Sequence, residues 1–292
     1  PEAGPIPGAV VPIRGRSGPA RGAQRDKVTT MPLTMYHDSN CPYSRKVLIM
    51  AAEHGLGDLF EFVSPFTEAG QKAIARDNPL AKMPALVIAP GLAIFDSRAI
   101  CRYVDALRKD RPSLYPEIGM ALWRALRYES LGDGMLDSAI MMRQELTRPA
   151  ARQIPERVEK QLAKIRAGLD CLEKERNDLD GPLTVGLIAV SNALAYLDFR
   201  WSHLDWRNGH PQLAQWQAAM AARPAFVAHP YIESDLLLKK MATAGQATPV
   251  DSPGPPRGDE KPGPRTPAVQ FIDRRAGEPA PPPPPESPAA RQ

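Results

Sequence analysis

One cysteine and two pairs of residues in this chain have the types and spacing to do chemistry. Cys41 opens the run CPYS, directly before a proline and an aromatic residue, and the amphipathic run RKVLIMAAEHG follows at once. The thiol therefore stands where a helix begins. Helix N-terminal N–H groups and the macrodipole favour an anion there, which lowers a thiol's pKa and raises its thiolate fraction. The competing reading is a packing residue in a small apolar space. Asp96 and Ser97 close one patterned stretch and open another. Taken alone they are a good helix start with Ser97 as N-cap, and such a terminus also receives a carboxylate well. Met83 and Pro84 lie in KMPAL before an apolar run, where a trans proline opening an edge strand fits the local sequence. Cys101 and Cys171 fall within helical patterns and read as core.

The elements around these residues read in order. LTMYH at 33–37 is a strand, CPYSRKVLIMAAEHG a helix with Val47, Leu48, Met50 and Ala51 on one face and Gly55 as its stop, and LFEFVSP at 59–65 a second strand. Residues 67–78 form a short helical or irregular link. PALVIA and LAIFD are strands around the turn at 90–91, and SRAICRYVDALRKD is a helix. The order is β-α-β-α-β-β-α. From about 117 the strands vanish. GMALWRALRYESLGDGMLDSAIMMRQEL and IPERVEKQLAKIRAGLDCLEKER have helical periodicity, and TVGLIAVSNALAYLDFRW is apolar nearly all round, the pattern of a buried central helix. QLAQWQAAMAAR and a last segment near 224–239 complete a helical bundle.

Composition sets limits. Residues 241–292 hold 14 of the 33 prolines and residues 1–30 hold five. Both ends are therefore expected to be disordered: an N-terminal extension at 1–30 and a Pro-rich tail at 241–292 with a polyproline run from Pro281 to Pro285. Between them stand an α/β domain at 31–110, a linker at 111–116 and an all-helical domain at 117–240. Residues 1–30 carry a net charge of +3 out of +4 for the chain, so the middle lacks the basic stripe that nucleic-acid binding wants. Three cysteines far apart make no disulfide framework and point to a reducing cytoplasm. No apolar run reaches the roughly 18 residues of a membrane helix, and no His/Cys pairing suggests a metal.

Cys-Pro-Tyr-Ser after a first strand, KMPALV, FDSRAICRYV and GPLTVGLIAVSNALAYLDFRW, in that order, resemble the cytosolic glutathione transferases of bacterial type. The Cys-Pro-aromatic motif is similar to omega-class and glutaredoxin-like members. The resemblance implies a thioredoxin-like N-terminal domain followed by a helical bundle, and glutathione as co-substrate with no metal. It also implies a cis Met83–Pro84 bond whose backbone pairs with the cysteinyl unit. Asp96 and Ser97 would receive the γ-glutamyl group, with Asp96 where the family has glutamate. Lys82 is a candidate for the glycyl carboxylate, and Tyr36, Tyr43 and Ser39 for the thiol region. Ser44 stands where a resolving cysteine would, so any redox cycle through Cys41 is monothiol. The implied activity is a homodimeric, detoxifying transferase that conjugates glutathione to a small hydrophobic electrophile between the domains, where Met135, Met141 and Met142 offer adaptable apolar surface, although methionines at helical spacing are more often core and are not taken as site residues. A deglutathionylating thiol transferase using Cys41 covalently, or a non-catalytic binding protein on the same fold, are the alternatives. Thr184 starts the central helix without the acidic partner three residues on that the family's capping box has; Leu187 is there instead.

Overall fold

The computed structural model describes residues 32–108 and 110–234. The expectations for both termini, for the first residue of the domain at 31–110 and for 235–240 lie outside those residues. Four strands and three helices come first: β1 Leu33–Tyr36, α1 Pro42–Glu53, β2 Phe60–Val63, α2 Glu68–Asp77, β3 Ala85–Ala89, β4 Leu92–Ile94 and α3 Ser97–Ala106. The sheet order is β2-β1-β3-β4, with β1 parallel to β2 and the other pairs antiparallel. Alternation along the strands sorts their side chains between two layers. Met35 and Leu86 join Val47, Ile49, Ile100 and Val104 in the main core, whereas neighbouring Tyr36 and Ala85 pack with Ile74 of α2 in a second one.

Local chemistry explains the element ends. Proline, whose missing N–H costs nothing at a first turn, opens α1. Gly55 follows the helix with φ +69, a left-handed conformation natural to glycine. The link at 67–78 is a full helix: the Thr67 hydroxyl accepts from the Gly70 N–H at 3.0 Å and caps α2. The cap of α3 differs from the sequence expectation. Asp96 is the N-cap, its carboxylate accepting from the Arg98 N–H at 3.0 Å, and Ser97 is the first helical residue. The side chain two positions before the N–H reaches it, so the acid takes the role.

The second half holds α4 Met120–Leu146, α5 Pro155–Lys174, α6 Val185–Arg200, α7 Pro211–Ala221 and α8 Pro224–Val227. Every residue of α6 from Val185 to Leu194 is buried, as its composition requires. It crosses α4 at two small residues. A Cβ on Gly132 would sit 2.6 Å from the Ala189 carbonyl, and one on Gly186 would sit 2.3 Å from the Ala125 carbonyl oxygen. Thr184 caps α6 through a single 3.4 Å bond from the Leu187 N–H. The expected last helix stops at Val227, and residues 228–234 continue without helix. The linker is pinned rather than loose: Leu114 and Tyr115 are buried, the Leu114 N–H donates to Asp105 at 2.8 Å, and the Leu114 carbonyl accepts from Val185 at 2.8 Å.

Candidate functional site

Sheet register brings the cysteine and the two pairs together. Tyr36 at the end of β1 faces Ala85 at the start of β3, and Leu86 faces Ile94 at the end of β4. The loop to Cys41, the approach through Met83–Pro84 and the turn into Asp96–Ser97 therefore leave the same end of the sheet. The Met83–Pro84 bond is cis, and so is Phe95–Asp96. Buried Asn78, which sequence reading passed over, shapes the approach: its side-chain amide donates to the Lys82 carbonyl at 2.8 Å, while its side-chain oxygen accepts from the Leu80 N–H at 3.0 Å. An Asn before a proline was the available signal. Lys82 itself points its exposed side chain to solvent. Asp96 is exposed and Ser97 is 2% exposed at the first turn of α3.

Cys41 is the N-cap residue of α1, its N–H bonded to the Asp38 carbonyl at 3.0 Å. Its thiol pKa is raised, not lowered. Burial pushes it up, outweighing the Ser44 hydroxyl and the Ser44 and Tyr43 N–H groups that favour the thiolate as expected. Only 7% of the residue is exposed. Residues 229–234 form a strap bonded along the Cys41 loop. Ser234 donates to Asp38 at 2.7 Å, Ser39 donates to the Ile232 carbonyl at 3.2 Å, and Arg45 Nε donates to the His229 carbonyl at 2.5 Å. Tyr231 lies under the Arg45 guanidinium, 4.6 Å from its ring centre, and is an electrostatic neighbour of the Cys41 sulfur. Asn192 in the middle of α6 ties this together, donating to the Pro42 carbonyl at 2.9 Å and accepting from Arg45 and from Tyr231 at 2.8 Å.

The other sequence candidates divide. Tyr43 is near Cys41 and donates to Asp137 of α4. Tyr36 is not at the thiol: it donates to Asp77 at 2.5 Å in the second core. Met135 and Met142 are core, and Met141 is 52% exposed. Cys101 is fully buried, its pKa pushed up to about 12 by burial. Cys171 is only half-buried, beside Arg127 and Glu175. A charge cluster with no local sequence signature joins α1, α3 and α4. Lys46, wholly buried, donates to Asp133 at 2.7 Å and Glu129 at 3.1 Å, and Arg98 reaches Asp133 at 2.9 Å. Among the described residues no group of three or more His, Cys, Asp or Glu side chains could hold a metal ion, and no helix is long and apolar enough to cross a membrane.

A thioredoxin-like sheet whose cis-proline approach and two helix starts meet at one end, joined to a helical bundle, defines a class, and the chain belongs to it: the glutathione S-transferase family. Family models match both halves, "Glutathione S-transferase, N-terminal domain" at residues 40–107 and "Glutathione S-transferase, C-terminal domain" at 155–219. Among particular proteins, the chain is 33% identical over 190 residues to the uncharacterized GST-like protein YibF of Escherichia coli K12, covering 63% of this chain and 92% of that one. A glutathione transferase family member from Pseudomonas fluorescens Pf-5, solved with bound glutathione, is 35% identical with a TM-score of 0.65, covering 69% of this chain and all of that one. A family member from the same organism, with bound S-(propanoic acid)-glutathione, is 34% identical with a TM-score of 0.63, covering 68% of this chain and all of that one.

Proposed function

We propose that this chain is a glutathione transferase. Glutathione lies across the sheet end, its cysteinyl backbone paired with Met83 beside cis Pro84 and its γ-glutamyl group at Asp96 and Ser97, with Lys82 in reach of the glycyl carboxylate. The observation that carries this reading is the convergence of Cys41, Met83–Pro84 and Asp96–Ser97 through the β1–β3–β4 register. Glutathione-bound relatives support it. In conjugation the glutathione sulfur attacks an electrophilic carbon, a C–S bond forms, the leaving group departs with its bonding pair, and the thiol proton goes to solvent. The electrophile is a small molecule with an apolar body, seated between the two halves. Homodimerisation belongs to the same reading, with Ile118, Met120 and Trp123 exposed at the start of α4. Three free cysteines suit a reducing cytoplasm.

The raised pKa of Cys41 favours one role over the other. A thiol kept protonated is a weak hydrogen-bond donor to the glutathione thiolate and a poor nucleophile. Cys41→Ser is therefore expected to keep binding to immobilised glutathione and to keep conjugating activity, and the wild type exposed to glutathione disulfide is expected to show little adduct by intact mass. Loss of activity on Cys41→Ser together with a stoichiometric wild-type adduct would establish the covalent thiol transferase instead. A chain that passes straight through immobilised glutathione would overturn both.

A further inference from the structure

Two arginines and one carboxylate stand at the end of α6, next to the strap. Arg200, with 11% of its side chain exposed, pairs with Glu233 of the strap and lies over the Phe199 ring at 4.0 Å. Phe199 stacks on Tyr231 at 5.2 Å and 8°, and Tyr231 meets Tyr196 edge-on at 5.4 Å. Arg143 comes from α4, and the charges of Arg200 and Glu233 both act on it. Among the described residues Arg143 has no ion-pair partner, its buried Nη2 and the Nε and Nη2 of Arg200 have no acceptor, and Glu233, bonded to Arg200 through Oε2, leaves its Oε1 without a donor. The one carboxylate of this aromatic slot is thus paired with Arg200 and not with Arg143. Burial and the Arg200 charge both act to lower the Arg143 pKa. Leaving buried guanidinium donors without acceptors is costly, and a planar carboxylate is the group that their fork geometry matches best. The slot reaches the Cys41 loop through Tyr231, which stacks on Phe199 and donates to Asn192, whose amide in turn donates to the Pro42 carbonyl beside Cys41.

The geometry points to an acceptor site for an anionic electrophile: a compact aromatic or apolar body bearing a carboxylate, which Arg143 and Arg200 hold while its reactive carbon faces the glutathione sulfur. Glu233 occupies part of that anion position from within the chain. The inference rests on the transferase reading and names its substrate class. For a benzylic chloride the step balances as a substitution: the glutathione sulfur bonds to the benzylic carbon, chloride leaves with the electron pair of the C–Cl bond, and the thiol proton goes to solvent.

The test pairs molecules that differ only in charge. Conjugation of para-(chloromethyl)benzoate is compared with that of para-(chloromethyl)benzamide, and calorimetric binding of unreactive para-methylbenzoate with that of para-methylbenzamide, on the full chain. The expected result is a preference for each acid of at least tenfold, in kcat/KM and in Kd, that Arg143→Gln and Arg200→Gln each reduce severalfold. Equal handling of acid and amide by the wild type overturns the inference without needing any variant, as does a preference that survives both substitutions together. If the amide is conjugated and the acid is not, this inference alone fails. If neither is conjugated and glutathione does not bind, the transferase reading fails, and the calorimetric comparison still decides whether the anion site exists.

Discussion

Cys41 and His37 lie on the same loop, and burial moves their protonation in opposite directions. For the thiol the charged form is the deprotonated one, so its pKa rises; for the imidazole it is the protonated one, so its pKa falls to about 4, with His229 adding to the burial effect and Asp38 opposing it. The sign for stability follows. Between pH 6.5 and about 4 the unfolded chain takes up a proton at His37 that the folded chain refuses, so stability falls as pH drops through that window. The effect is at most about 3 kcal/mol. In denaturant melts at pH 4.5 and 7, His37→Gln should lose less stability on acidification than the wild type; equal losses would show that His37 carries no such linkage. The position of Cys41 at a helix start was legible in CPYS and its run. Its burial was not, because the strap bonded along its loop comes about 190 residues later in the chain and carries no local signature.

At the scale of elements, hydrophobic period and turn residues carried far: the β-α-β-α-β-β-α order, the long first helix of the bundle and the apolar α6 all follow from them. Cap identity did not, since Asp96 and Ser97 are equally good caps and only backbone geometry chooses between them. Close helix crossings were likewise hidden, because a glycine inside a helical pattern reads as a weakness until its neighbour is known. These two features predict an order of stability. Thr184→Ala removes one long cap bond and should cost about 1 kcal/mol or less. Gly132→Ala improves intrinsic helix propensity, yet its Cβ would meet the Ala189 backbone, so it should lower the melting temperature by more than Thr184→Ala does. A Gly132→Ala protein as stable as the wild type would mean that α4 and α6 part without penalty.

For the molecule as a whole, the two halves are locked by charge as well as by packing. Lys46 of α1 is buried against Glu129 and Asp133 of α4, and Arg98 of α3 joins them. Partners 83 and 87 residues apart in sequence cannot be matched by pattern. Lys46→Met should destabilise the fold by about 3–5 kcal/mol, because it leaves buried carboxylates uncompensated. Adding Glu129→Gln and Asp133→Asn should recover part of that loss in chemical denaturation, and no recovery would assign the cost to packing instead. The strap has a different kind of consequence. Its bonds to Asp38, Ser39, Arg45 and Arg200 all lie within residues 229–234, so lifting the whole segment breaks all four. The sulfur at residue 41 then works as a built-in gauge: how fast a small alkylating reagent marks it counts the moments when that segment lifts, and each tenfold change in the marking rate weighs about 1.4 kcal/mol of latch strength.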